Sequence, residues 1–256
     1  MISQIVAGTA LAVFARTAEN SVETYYNYTI FLTGLTGILA MIPALYFYRR
    51  DKVRRIAGGL IPAQKKVPLS LLEIILLLLA GAGLAQYGNF LMAILQSFIN
   101  SSAYQESMTR ITEGKSLLMM IFWMGIIAPA AEEMIFRWLI YLRLRDWMKL
   151  PVAAVISGVV FGIYHGNIVQ GIYASILGTA FAWILEMSGN IYSSMLLHMG
   201  ANIWSLVITE YALDLFSMKY GVQILILIYL ILLAGVVCCL THFEKVYSVR
   251  KKKRMI

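Results

Sequence analysis

Residues 116–140 read SLLMMIFWMGIIAPAAEEMIFRWLI. The stretch is long enough to cross a bilayer as a helix, yet its second half carries Glu132, Glu133 and Arg137. Ionisable side chains at membrane depth are costly unless paired or hydrated, which makes an interior functional site the default reading. Glu132 and Glu133 are consecutive and point about 100° apart on a helix, so one can line a cavity while the other supports a neighbouring helix. Glu133 and Arg137 stand at i, i+4, the spacing of an ion pair on one helical face. Glu132 is therefore the better candidate for chemistry and Glu133 for a partly structural role. Pro129, just ahead of the acidic pair, is expected to break or kink the segment.

The rest of the 256-residue chain has the same character. It is 60% hydrophobic and 13% charged, with a mean hydropathy of +0.76, far from the roughly 25% charged composition of a soluble domain. Apolar runs predict about eight membrane helices, near 2–15, 25–48, 69–98, 116–140, 151–167, 170–186, 191–208 and 221–241. The expected fold is an all-α polytopic transmembrane bundle, a single integral-membrane domain over 1–256 with no linker, repeat or soluble module. Residues 2–14 lack a basic leading region and a small-x-small cleavage site, and are expected to be a retained helix.

Net charge is +8, but its placement argues against nucleic acid as a partner. Seven basic residues lie at Arg49, Arg50, Lys52, Arg54, Arg55, Lys65 and Lys66, four at Arg137, Arg143, Arg145 and Lys149, and six at Lys245 and 250–254. These clusters flank apolar segments on alternate connectors, whereas the opposite connectors set Arg16, Arg110, Lys115 and Lys219 against Glu19, Glu23, Glu106, Glu113, Glu210 and Asp214. By the positive-inside rule both termini are cytoplasmic, the lipid bilayer is the partner of the basic clusters, and the expected location is integral to a plasma membrane, which the resemblance given below implies is bacterial. Cys238 and Cys239 are adjacent and suit neither a structural disulfide nor a metal site. Gly158, Gly162 and Gly166 form an i, i+4, i+8 ladder, with Gly171 and Gly178 following, and are expected to let neighbouring helices approach closely.

Two of the three histidines lie in apolar segments: His165, at the end of Phe161-Gly-Ile-Tyr-His165, and His198, four residues before Asn202. From the basic boundaries, Glu132, His198 and His165 fall at depths of about 14, 11 and 21 Å by helical rise. That places a site in the cytoplasmic half of the bilayer, reached from the cytosol or laterally. A carboxylate and an imidazole can together take a proton from water, while a second imidazole and an amide stabilise a tetrahedral oxyanion. The same groups could instead ligate a divalent metal such as zinc. H-E-x-x-H and G-x-S-x-G are both absent, which removes the commonest local signs of a zinc or serine hydrolase. His242, beside the basic tail, reads as interfacial, and Glu73 and Glu186 as packing or interface residues.

In these residues the sequence resembles the CPBP intramembrane proteases, which include the CAAX prenyl endopeptidases and the bacterial Abi or bacteriocin-immunity relatives. Glu132-Glu133-Met-Ile-Phe-Arg137 is similar to the E-E-x-x-x-R motif, Phe161 to His165 to F-x-x-x-H, and His198 to Asn202 to H-x-x-x-N, in that order, over roughly 115–210. The resemblance implies that Glu132 and His165 activate water, that His198 and Asn202 form the oxyanion site, and that Glu133 and Arg137 support them. It favours a metal-free mechanism. Trp138 stands where many relatives have Gly. The implied function is endopeptidase cleavage of a membrane-associated protein or peptide, CAAX-type processing among the options. The alternatives are a non-catalytic membrane adaptor or immunity protein and, further off, a transporter, for which no repeated pair of broken helices is apparent.

Overall fold

The computed structural model describes residues 21–60, 68–98 and 103–255, and all regular structure among them is helical. The helices are α1 (Ser21–Ala57), α2 (Leu71–Phe98), α3 (Ala103–Thr112), α4 (Leu117–Arg145), α5 (Leu150–Tyr164), α6 (Ile168–Ser188), α7 (Ile191–Ser217) and α8 (Gly221–Met255). Within α1, α2, α4, α6, α7 and α8 lie the six spans long and apolar enough to cross a membrane among the described residues. The chain is thus an all-α, polytopic membrane bundle. The span expected near 2–15 lies outside the described residues.

The expectation of a full membrane span at 151–167 needs correcting. Helix α5 has 15 residues, about 22 Å by helical rise, against an apolar bilayer core of about 30 Å. It ends because Gly166 takes φ 71°, a left-handed conformation that reverses the chain. Asn167 then starts α6 by accepting hydrogen bonds from the backbone N–H groups of Val169 and Gln170. Gly166 therefore serves the turn rather than the glycine ladder. Gly158 and Gly162 do the packing, because a Cβ at either would run into Ser175 and Thr179 or into Gly171 on α6.

Helix α4 is not broken at Pro129. It runs on through two π-helical stretches, Ile121–Ile127 and Met134–Tyr141, on either side of an α-helical segment, Ala128–Glu133. The Ala128 N–H donates five residues back to the Trp123 carbonyl, and Pro129 has no N–H to offer the next carbonyl, that of Met124. The side-chain amide of Asn202 on α7 fills that place, Nδ2 to the Met124 carbonyl at 3.0 Å. Ser157 on α5 donates likewise to the Phe136 carbonyl at 3.0 Å. The wide turns are therefore held by neighbouring helices, as deviations in a helical ladder generally must be.

The basic clusters gather at one end of the bundle. Asp51 on α1 pairs with Arg143 at 2.6 Å, and Arg55 with Asp146 at 2.8 Å. Glu186 at the end of α6 receives Arg145 at 3.0 Å and the Tyr141 hydroxyl at 2.9 Å. Arg250 of α8 donates to the Glu186 and Met187 carbonyls, satisfying carbonyls that the end of α6 leaves without a helical partner. Glu73 caps α2 by accepting from the Ser70 N–H at 2.8 Å, and its other oxygen meets His242 at 3.1 Å. Glu73, Glu186 and His242 are thus bound into this polar rim.

Candidate active site

Glu132 and Glu133 sit at the end of the α-helical segment of α4, where the turn widens. Their environments differ sharply: the Glu133 side chain is fully buried, and that of Glu132 is 20% exposed. Glu132 lines a cavity of about 1400 Å³, together with His165, His198 and Asn202. The four side chains come from two helices, α4 and α7, and from the turn between α5 and α6. The end of α5, just ahead of the Gly166 turn, is what places His165 there.

His198 lies between the two carboxylates. Its Nδ1 is 3.1 Å from Glu133 Oε1 and its Nε2 is 3.7 Å from Glu132 Oε2. Phe181 stacks on the imidazole at 4.6 Å between centroids, and Phe161 meets it edge-on at 5.5 Å. Two aromatic walls and one hydrogen bond thus set the ring plane. With Nδ1–H donated to Glu133, Nε2 carries a proton only when the ring is an imidazolium.

His165 is held differently. Its Nδ1 is 2.8 Å from the Phe161 carbonyl, which can only accept, so Nδ1 carries a proton and Nε2 is the atom that holds the lone pair in the neutral ring. The Phe161 ring packs edge-on against it at 4.7 Å. A neutral imidazole with a free Nε2 can act as a base, whereas a doubly protonated His198 can act as a donor. Asn202 keeps a second N–H on Nδ2 beyond the one given to Met124.

Arg137 stands behind this layer with no exposed side-chain surface, 3.2 Å from Glu133 Oε2. The contact is close but out of hydrogen-bond alignment, and none of the three guanidinium nitrogens has a hydrogen-bond partner among the described residues. The cation instead lies over the Phe161 ring at 4.7 Å and the Phe181 ring at 5.4 Å. Gly178 makes room for it, since a Cβ there would press on Phe161 and on Arg137. Trp138 turns the other way: its Nε1 donates to the Ile191 carbonyl at 3.1 Å and its ring packs on Tyr48. It ties α4 to α7 and α1 and leaves the cavity untouched.

The donor set does not suit a divalent ion. Among the described residues no three His, Cys, Asp or Glu side chains gather to hold one. Sequence reasoning passed over Phe181 and Tyr164, which also line the cavity, because one aromatic in an apolar run carries no mark of its own. It also passed over Ser205 and Thr209. With His198 and Asn202 these make a polar stripe at i, i+4, i+7, i+11 on α7, which the helical period could have shown.

Residues 114–204 match the family model of the type II CAAX prenyl endopeptidase Rce1-like proteins. YdiL of Bacillus subtilis (strain 168), named as a membrane peptidase on inference, is 28% identical over 89 residues, 35% of this chain and 36% of that protein. The alignment thus spans about a third of the curated relative's length. No solved structure matches the chain. The family match falls on the segment that carries Glu132, His165, His198 and Asn202, and the two similarities together support a link to the CPBP and Abi superfamily.

Proposed function

We propose that the protein is an intramembrane endopeptidase that hydrolyses a peptide bond with water activated by Glu132 and His165. One observation carries the reading: Glu132, His165, His198 and Asn202 line a single cavity at membrane depth, backed by the buried Glu133–Arg137 pair. Glu132 takes a proton from water as the oxygen attacks the scissile carbonyl, and His165 Nε2 accepts a hydrogen bond from the same water. The oxyanion that forms receives the Nε2–H of protonated His198 and the second N–H of Asn202. Glu132 then passes its proton to the departing amine. Each step uses groups of this chain, and none is routed through a metal.

The adaptor and transporter readings have less support. Loss of catalysis generally removes reactive groups, yet all four are present, and His165, His198 and Asn202 are held by hydrogen bonds. The test is time-resolved mass spectrometry of a broad peptide and membrane-protein pool incubated with the purified protein in lipid, wild type against Glu132→Gln. Products that appear only with wild type support proteolysis. Identical product profiles from two folded proteins overturn it and favour an adaptor.

A further inference from the structure

The cavity has a direction. Along α7 its wall runs from His198 through Asn202 and Ser205 to Thr209 and Glu210, a rise of about 18 Å. His198 is buried, whereas Thr209 and Glu210 are exposed. Other lining residues mark the two ends. Phe161, Phe181 and Leu177 close the end near His198 and are buried, and Glu113 and Gly114, in the α3–α4 connector at the other end, are exposed.

The closed floor faces the basic end of the bundle. Helix α7 begins at Ile191, directly after the α6 terminus that holds Arg145 and Arg250. The mouth lies at the opposite end, where Arg110, Lys115 and Lys219 are matched by Glu106, Glu113, Glu210 and Asp214. Positive clusters stay on the cytoplasmic side during insertion, so the mouth opens away from the cytoplasm. The depth expected for the site from the sequence and the route expected to it thus part company: the floor is nearer the cytoplasmic side and access is from the other.

We infer that the cavity is loaded from the non-cytoplasmic face, so that its substrate is a peptide segment presented at that surface or in that half of the bilayer. A lipidated chain end held against the cytoplasmic leaflet would meet the aromatic floor and the salt-bridged rim. The direction of access rests on the cavity and the charge pattern alone; the identification of its occupant as a substrate rests on the proteolytic reading above.

Two measurements separate these parts. In full-length protein with Cys238→Ala and Cys239→Ala, single cysteines are placed by Glu113→Cys, Ser205→Cys, Thr209→Cys and, as the opposite control, Lys251→Cys. Each is treated with a small membrane-impermeant thiol reagent in intact cells and in inverted membrane vesicles, after gel filtration shows an unchanged elution profile. Reaction of the first three in intact cells, and of Lys251→Cys only in inverted vesicles, is the expected result. Reaction of Ser205→Cys and Thr209→Cys from the inverted side alone overturns the inference. In the second measurement an impermeant peptide pool is added to right-side-out or to inverted vesicles of wild type and Glu132→Gln. Wild-type-specific products from the right-side-out arm support the substrate class, and products from the inverted arm alone overturn it. Labelling as expected with no products from either arm leaves the access route standing and removes the proteolytic reading.

Discussion

The Nδ1 of His198 stands 3.1 Å from the Glu133 carboxylate, and this contact decides which edge of the imidazole looks toward Glu132 and the cavity. Glu133→Gln keeps the shape and an acceptor oxygen but removes the charge that balances an imidazolium. The expected loss in kcat is about 100-fold, with KM little changed, because the interaction strengthens only as the oxyanion forms. Steady-state kinetics in lipid, on a peptide identified by the product screen, check it. A variant with wild-type kcat would leave Glu133 as packing only.

Glu132→Gln, His165→Ala and His198→Ala are each expected to bring turnover close to the uncatalysed level while membrane insertion persists. Glu132 is partly exposed to the cavity, and among the described residues no other carboxylate lines the floor, Glu133 being buried against His198 and Arg137. Product formation at wild-type rate in all three variants would end the catalytic assignment.

Arg137→Met strands a fully buried carboxylate, and the expected cost is about 3–5 kcal/mol of stability. Combining it with Glu133→Gln removes both charges and restores much of that stability without restoring turnover. Chemical denaturation in detergent followed by circular dichroism, alongside the peptide assay, separates the two effects. A double variant no more stable than Arg137→Met would show that the pair is not coupled.

Asn202 and Pro129 form an unusual pair, since the amide of one supplies the donor that the other lacks. Asn202→Ala leaves the Met124 carbonyl without a partner at an expected cost of about 1–3 kcal/mol. Pro129→Ala provides a backbone N–H, so the double variant should lose less stability than the separate costs predict. Additive losses in that cycle would mean that the helix does not use the new donor.

Removal of divalent ions by prolonged dialysis against a strong chelator is expected to leave product formation unchanged, because no three ligating side chains converge among the described residues. Loss of activity that added zinc restores would require a ligand set assembled only with substrate present.

The apolar runs that form α1, α2, α4, α6, α7 and α8 are plain in the chain because a membrane span needs about 20 apolar residues and little else. The three motifs are equally plain, because ionisable groups inside such runs are costly and stand out against their apolar neighbours. The π-helical turns of α4 are not legible in this way. Their hydrogen bonds run five residues back, and what stabilises them is Asn202 and Ser157 from other helices. Helix α3 leaves no apolar signal because it is polar and lies in a connector. The short α5 depends on where Gly166 turns, a two-residue matter inside an apolar run. The Glu73–His242 contact joins residues 169 positions apart, which no local pattern reports. The depth of Glu132 can be counted from the sequence, but the side from which it is reached depends on which walls close.

Phe161, Phe181 and Leu177 have so far served as the floor against which His198 and Arg137 are packed. Hydrolysis needs water at Glu132, so on this reading the cavity carries solvent about halfway through the membrane and these side chains are the seal that remains. A protein that works in this way has a second duty besides chemistry, which is to keep the electrochemical gradient intact while admitting a reactant that conducts protons. Shortening Phe181 to Ala would then do more than loosen His198. It would thin the permeability barrier at the point where the bilayer has been replaced by protein, and a hydrolase would begin to leak.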